Sequence, residues 1–502
     1  MPTLTINGKE VTVPRGTPVI RAAAMLGFNI PHFCYHPALS APANCRMCLV
    51  EIERARKLEP ACYAKCGDGM VVHTESEKVK VARRAVLEFI LVNHPVDCPI
   101  CDQAGECKLQ DYYMAYDAEP SRLRTSKVGK SKVFPIGPHV VYDGERCILC
   151  TRCVRFCDQI TGTSELAVVQ RGDDSTIGTF PGRELDNAYS MNVTDICPVG
   201  ALTTRDFRFK CRVWLLSSTD SICTGCSRGC NVHLEHFQGE VQRYRPRFNP
   251  EVNEYWMCDE GRLSYKQIHA RRNVTLRVGD KSDLGWPRSA RTFGALAKDR
   301  IGAGGDGVAF VASPLATTEG LYAGRKYAET VLGAKRFYVG GRADGDADAF
   351  LIRADKNPNR AGVTAVFGEL PGVDALLDDM AAGRVRALWL MGTELAFDDA
   401  QRARFTELVQ KLDLFVVQSL HDDALLAHAD AVFPAASHAE LEGTYINEQG
   451  HVQQVYKALE PEGPSRSDAE IFIRLAKGAD QPFAFTDVDG IRAELYDSGA
   501  EA

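Results

Sequence analysis

Cys147-Ile148-Leu149-Cys150-Thr151-Arg152-Cys153, answered further along by Cys197-Pro198, is the stretch around which the chain is organised. Three cysteines at C-x2-C-x2-C close on three corners of one 4Fe–4S cube, and a distant Cys-Pro supplies the fourth thiolate. In two-cluster proteins of this kind the run ends C-x3-C-P, and that last cysteine serves the other cluster. Cys157 holds the position here, but Asp158 follows it and no second full run exists, so Cys157 is read as a leftover. Zinc is the alternative for any cysteine cluster, yet zinc sites usually present two C-x2-4-C pairs. The even triplet with a remote Cys-Pro favours iron and sulfide.

Outward from this run, the chain of 502 residues is long enough for several domains with real cores. A net charge of −7 gives no global basic field for nucleic acid or anionic lipid. The start, Met1-Pro2-Thr3-Leu4-Thr5-Ile6, lacks the basic-then-apolar build of a signal peptide. No apolar run approaches the roughly 20 residues that span a bilayer. The expectation is a soluble protein of a reducing compartment, where 18 cysteines are unlikely to be disulfides. All of them lie between Cys34 and Cys258, which divides the chain into a metal-rich first half and a cysteine-free second half.

Residues 4–13 alternate apolar and polar around Asn7-Gly8, a strong hairpin signal. Thr17 then Pro18 predicts an N-cap and first-turn proline for a helix from Val19 to Leu26. Hairpin then helix suggests a β-grasp. Set into it are Cys34, Cys45, Cys48 and Cys62, the close pair standing just before a strand Leu49–Ile52. A loop carrying three ligands with a fourth from further on is how plant-type 2Fe–2S clusters are held, although the first gap here is longer than usual. Cys66 competes with Cys62 for the fourth place.

Ser76 caps a predicted helix to about Asn93, with Val79, Ala82, Val86, Phe89 and Ile90 on one face. Pro95 stops it, and the chain reads His94-x3-Cys98-x2-Cys101-x5-Cys107. A histidine at a helix end is more often a dipole partner, but three cysteines directly after it favour a ligand. Replacing a thiolate by imidazole removes negative charge, which in Rieske centres raises the potential; a zinc Cys3His site is the alternative. From Glu119 to Val140 the chain is polar, and Lys127, Lys130 and Lys132 read as a solvated face on a connector. A last set, Cys223, Cys226, Cys230 and Cys258, again joins a tight triplet to a remote cysteine and suits a cube, with zinc a closer rival.

These four sets in this order, together with Arg146–Phe156, Asp195–Leu202 and Phe207–Trp214, resemble the large iron–sulfur subunit of respiratory complex I, the proton-pumping NADH:quinone oxidoreductase, over about residues 1–272. The resemblance implies a peripheral-arm subunit that relays single electrons from the FMN- and NADH-binding subunit toward the next iron–sulfur subunit and quinone. It implies one 2Fe–2S cluster on Cys34, Cys45, Cys48 and Cys62, and three 4Fe–4S clusters. Those would use His94, Cys98, Cys101 and Cys107; Cys147, Cys150, Cys153 and Cys197; and Cys223, Cys226, Cys230 and Cys258, the last an extra cube off the main path. Cys66, Cys157 and Cys211 are then packed thiols. The implied location is the cytoplasmic side of a bacterial inner membrane, as a peripheral part of that complex, with no nucleic-acid partner.

Beyond residue 272, strands at Val308–Val311, Phe337–Val339, Ala387–Met391 and Leu414–Val417 alternate with helical stretches, which argues a doubly wound parallel sheet. Gly340-Gly341 and Gly392-Thr393 follow strands and read as turns. This half resembles a shortened, cofactor-free molybdopterin-oxidoreductase body. An NAD-linked formate dehydrogenase and the diaphorase small subunit of an NAD-reducing hydrogenase share the cluster array. The first would need a molybdenum ligand and a longer body, and the second would end soon after Cys197. The chain is thus expected to be multidomain α/β plus α+β. Its parts are 1–77 (2Fe–2S β-grasp), 78–118 (His/Cys cluster), 119–215 (ferredoxin-like, with connector), 216–272 (molybdopterin-oxidoreductase-type cluster) and 273–502 (α/β).

Overall fold

Asn7 and Gly8 take φ of 48° and 82°, the left-handed pair that a two-residue type I′ turn needs. They join β1 (Thr3–Ile6) to β2 (Lys9–Thr12) with Ile6 opposite Lys9. Helix α1 (Val19–Met25) is capped by Pro18 and not by the expected Thr17; the Thr17 carbonyl is taken by the Cys66 amide at 2.9 Å. Strands β3 (Leu49–Ile52), β4 (Glu59–Pro60) and β5 (Val71–His73) complete a five-stranded sheet of order β2-β1-β5-β3-β4. Val19, Ile20, Ala22 and Ala23 of α1 share a core with Leu4, Ile6, Val50 and Val72. This is the β-grasp that the hairpin-then-helix pattern implies.

The computed structural model describes residues 1–116, 119–282, 284–302 and 305–497, so the expected boundary at residue 118 lies outside the described residues. The chain divides into two compact units, 1–216 and 217–502. In the first unit, α2 (Glu77–Leu91) is capped by Ser76, whose hydroxyl accepts from the Val79 amide. The buried stripe of α2 is Val79, Arg83 and Leu87, while Phe89 is exposed. The expected face is therefore rotated, because Arg83 turns inward to Glu75 at 2.6 Å and the Tyr116 hydroxyl at 3.0 Å. Tyr116 ends α3 (Lys108–Tyr116).

After the connector, β6 (Val133–Pro135) and β7 (Val140–Asp143) precede α4 (Arg152–Gln159). A hairpin of β8 (Leu166–Val169) and β9 (Thr176–Thr179), α5 (Asn192–Ile196) and β10 (Leu202–Thr204) follow. Sheet order β10-β7-β6 sets β10, just past Cys197-Pro198, beside β7, just before Cys147. The connector lysines are not a bare solvated face. Lys127 donates to the Leu91 carbonyl at 2.8 Å, Lys130 to that of Ser175 at 2.6 Å, and Lys132 to Asp97 and Glu145 at 3.0 and 2.6 Å.

The second unit opens with an antiparallel sheet of β11 (Ser217–Ile222), β12 (Asn231–Phe237) and β13 (Glu240–Pro246), then the short α6 (Asp259–Leu263). Next come β14 (Arg277–Val278), β15 (Lys281–Ser282), α7 (Trp286–Ile301), β16 (Val308–Ala312), α8 (Thr318–Thr330) and β17 (Arg336–Val339). The chain continues through α9 (Arg360–Phe367), α10 (Val373–Ala381), β18 (Ala387–Met391), α11 (Asp399–Val409), β19 (Leu414–Ser419) and β20 (Ala431–Pro434). The hairpin β21 (Gly443–Ile446) and β22 (Val452–Val455) follows, then helices α12 (Asp468–Gly478) and α13 (Val488–Asp497).

Strands β17, β16, β18, β19 and β20 run parallel in that spatial order, a doubly wound sheet. Phe310, Trp389 and Phe433 face a core with α7, α8 and α12, whereas Val311, Leu390 and Val417 face α10 and α11. Burial on both faces is why these strands read as unbroken apolar runs. Among the described residues, no helix is long and apolar enough to cross a membrane.

Candidate metal centres

Each cysteine set sits on a turn that the neighbouring strands or helices pin. In the first, the Cys34 amide donates to Cys45 Sγ at 3.4 Å, and the Cys34 thiol lies near those of Cys45 and Cys62, as the Cys48 thiol does near that of Cys62. These contacts lower Cys34 and Cys48, while they push Cys45 and Cys62 up. Cys66 joins none of them; its buried thiol is raised by desolvation. The geometry therefore groups Cys62, and not Cys66, with the other three.

In the third set, Cys147, Cys150, Cys153 and Cys197 wall one cavity with Tyr142 and Val199. Burial pushes Cys150 up to about 11 and Cys197 to about 12, each raised further by the neighbouring thiols. In the second, His94, Cys98, Cys101 and Cys107 line a cavity with Leu91, Leu109 and Met114. Burial lifts Cys107 to about 11 and drops His94 to about 4. The fourth set, Cys223, Cys226, Cys230 and Cys258, lines a cavity with Leu351 and Lys356. There Cys258 Sγ accepts from the Gly261 amide at 3.2 Å and Cys223 Sγ from that of Gly225 at 3.4 Å. A β-carbon at residue 261 would stand 2.9 Å from Cys223 Sγ and 3.1 Å from Cys258 Sγ, so only glycine leaves both sulfurs in place.

Buried polar side chains tie the third set to both others of its unit. Arg152 donates to the Ile196 carbonyl at 3.0 Å and to that of Tyr35, and Arg155 to the Cys34 and Cys150 carbonyls at 2.6 and 3.3 Å. On the other side, Arg146, next to Cys147, grips Asp97, next to Cys98, through two bonds of 2.9 and 2.7 Å. That guanidinium holds the Asp97 carboxyl down at about 2. Pro198 accepts from the Lys108 amide at 3.2 Å, so the Cys-Pro loop also abuts the second set. Periodicity missed these links, although Arg152, Arg155 and Gln159 at i, i+3 and i+7 mark a polar stripe on α4.

Several ligand-bearing turns hold non-glycine residues at positive φ: Ala43, Arg46, Val96, Leu149 and Thr151. For β-branched Val96 and Thr151 this is a true outlier of backbone conformation. Cys157 is fully buried with its thiol pushed up to about 12, and Cys211 is half-buried. Neither lines any of these cavities.

Do these residues suit clusters? His94 Nδ1 is buried with no protein partner, and a neutral imidazole is the metal-binding form. Arg152 and Arg155 are 4% and 9% exposed, and among the described residues neither forms an ion pair with a carboxylate. Burying an unpaired cation costs several kcal/mol, and the groups around these two include Cys34, Cys150, Cys153 and Cys197, whose sulfurs become anionic when they bind metal. The donors of the second, third and fourth sets each wall a cavity. They fit.

Residues 1–77 match the 2Fe-2S iron-sulfur cluster binding domain family, and residues 83–122 the NADH-ubiquinone oxidoreductase-G iron-sulfur binding region. Residues 137–203 match the ferredoxin-like domain of NADH-quinone oxidoreductase subunit 3, and residues 216–266 the NADH-ubiquinone oxidoreductase NDSU1/NuoG-like 4Fe-4S domain. Residues 356–478 match the molybdopterin oxidoreductase family. The chain is 30% identical to the mitochondrial NADH-ubiquinone oxidoreductase 78 kDa subunit of Candida albicans, across 98% of this chain and 84% of that one. It is 42% identical over 294 residues to the G subunit of NADH-quinone oxidoreductase from Streptomyces coelicolor, across 57% of this chain but only 35% of that one. A solved NAD+-reducing [NiFe]-hydrogenase chain is 28% identical, with a TM-score of 0.37, over 42% of this chain and 91% of that one.

Proposed function

The chain belongs to the family of the large iron–sulfur subunits of NADH:quinone oxidoreductase, respiratory complex I, and on that premise we propose that it is an electron-relay subunit without a substrate site of its own. It carries 2Fe–2S- and 4Fe–4S-binding domains. In our reading Cys34, Cys45, Cys48 and Cys62 hold one 2Fe–2S cluster. Three 4Fe–4S clusters are held by His94, Cys98, Cys101 and Cys107; by Cys147, Cys150, Cys153 and Cys197; and by Cys223, Cys226, Cys230 and Cys258. Zinc remains the competing occupant to be tested. When bound, such clusters accept and release one electron at a time.

The observation that carries the relay is the middle position of the third set, linked through Arg152 and Arg155 to the first and through Arg146–Asp97 to the second. These links support a series of first, third and second sites. Its outer partners would be the FMN- and NADH-binding subunit and the next iron–sulfur subunit toward quinone, on the cytoplasmic face of a bacterial inner membrane.

The fourth set has a different setting. Arg342 donates to the Thr224 carbonyl at 2.9 Å, Gln453 to that of Gly229 at 2.8 Å, and the Ser227 amide to Asp355 at 2.8 Å. These bonds fasten its loop to the α/β body, which supports a structural role off the series. Iron, sulfide and zinc analysis with electron paramagnetic resonance on the reduced full chain tests the reading. One 2Fe–2S and three 4Fe–4S clusters are expected; about four zinc ions per chain with little iron reject it.

A further inference from the structure

We propose that Arg152 and Arg155 are a shared positive counter-charge for the first and third sites, raising the reduction potentials of both and fixing the interval between them. This rests on the relay reading above. The two side chains stand on one stripe of α4, and each guanidinium bonds backbone next to ligands on both sides. Arg152 reaches the carbonyls of Tyr35 and Ile196, which adjoin Cys34 and Cys197. Arg155 reaches the carbonyls of Cys34, Ser40 and Cys150. Gln159 closes the stripe, exchanging two bonds with Ser40 at 2.9 and 2.7 Å.

All the carbonyl acceptors are neutral, so the contacts satisfy donors without cancelling charge. Two full positive charges thus remain in a buried seam. A guanidinium stays protonated at any physiological pH, and in a poorly screened interior its field reaches both neighbouring sites. Reduction adds negative charge to a site, so a fixed cation favours the reduced state. A cation between two sites moves both potentials the same way and leaves their difference nearly constant, which suits adjacent steps of a relay. A merely structural clamp would hold the loops without moving either potential.

The test is a redox titration of the full chain followed by electron paramagnetic resonance. Arg152→Met and Arg155→Met should each lower the midpoint potentials of the first and third sites while leaving the second and fourth unmoved. Arg152→Lys keeps the charge but reaches fewer carbonyls, so it should hold both potentials near the starting values while amide exchange from Cys34 to Ser40 speeds up. If a methionine variant loses its clusters, Arg155→Gln, which keeps an amide donor without charge, carries the same expectation. Intact signals at unchanged potentials in the neutral variants overturn the proposal, as does a shift confined to one site. A starting chain without iron–sulfur signals would instead reject the relay reading.

Discussion

Gly200 lies against Cys101 so closely that a β-carbon at residue 200 would sit 2.3 Å from the Cys101 sulfur. The same added atom would meet Gln103 Cβ at 3.0 Å, so the sulfur has little room to give way. Gly200→Ala should therefore displace Cys101 and cost the chain about four iron atoms with the signal of the His94-containing site. Gly372→Ala, where an added β-carbon meets nothing within 4 Å, is the control and should keep the full iron content.

On the proposed reading the first three sets form a series and the fourth a branch. Cys150→Ala should abolish quinone reduction in the assembled complex yet spare NADH oxidation by an artificial acceptor at the flavin. Cys226→Ala should lower assembly or thermal stability, because thiolate ligation couples metal binding to folding, while turnover per assembled complex stays largely intact. Both activities, normalised to assembled complex, decide the matter; equal loss of quinone reduction in the two variants would remove the branch.

In the proposed second site His94 would supply a neutral donor where a thiolate is the common choice. His94→Cys adds negative charge to the second site and should lower its midpoint potential, since an anionic ligand favours the oxidised state. An intact signal titrating at the original potential would show that His94 does not bind the cluster.

Asp468, at the start of α12, has its carboxyl pushed up by burial from 3.8 to about 6. Because the folded value exceeds the unfolded one, the neutral acid is the form the fold prefers. Stability is full below about pH 4, declines as pH rises to about 6, and is then lower by about 3 kcal/mol. Asp468→Asn keeps an acceptor for Gln418 and removes the charge. The variant should gain stability at pH 8, less whatever its helix-dipole contact contributed, and gain about half as much at pH 5. Denaturant midpoints at the two pH values check this; equal gains at both would contradict it.

Much of this was readable because it is local. The Asn7-Gly8 turn, the Ser76 cap and the apolar strands of the second unit each declare themselves within a few residues. The cysteine spacings likewise mark four sets, since a triplet on one turn needs no distant information. Spacing cannot choose between Cys62 and Cys66, because both follow β4 within reach; the proximity of the Cys62 thiol to those of Cys34 and Cys48 is what groups it with them. Periodicity also misplaced the face of α2, because a buried arginine looks polar until Glu75 and Tyr116 are known to meet it. Lys127 read as solvated for the same reason: its acceptors lie 33 and 36 positions away in the chain.

The left-handed turns at Ala43, Arg46, Val96, Leu149 and Thr151 bear on how a cell tells finished copies from unfinished ones. Such conformations cost about 1–3 kcal/mol each and persist only where the surroundings over-determine them. Clusters bridging these turns would supply that determination, so chains lacking iron should relax there first. The relaxed turns would present cleavable backbone at the very places where the inorganic cargo is missing. A protease that cuts loose loops would then act as an inspector, clearing blank chains before they reach a complex whose electron path they would interrupt.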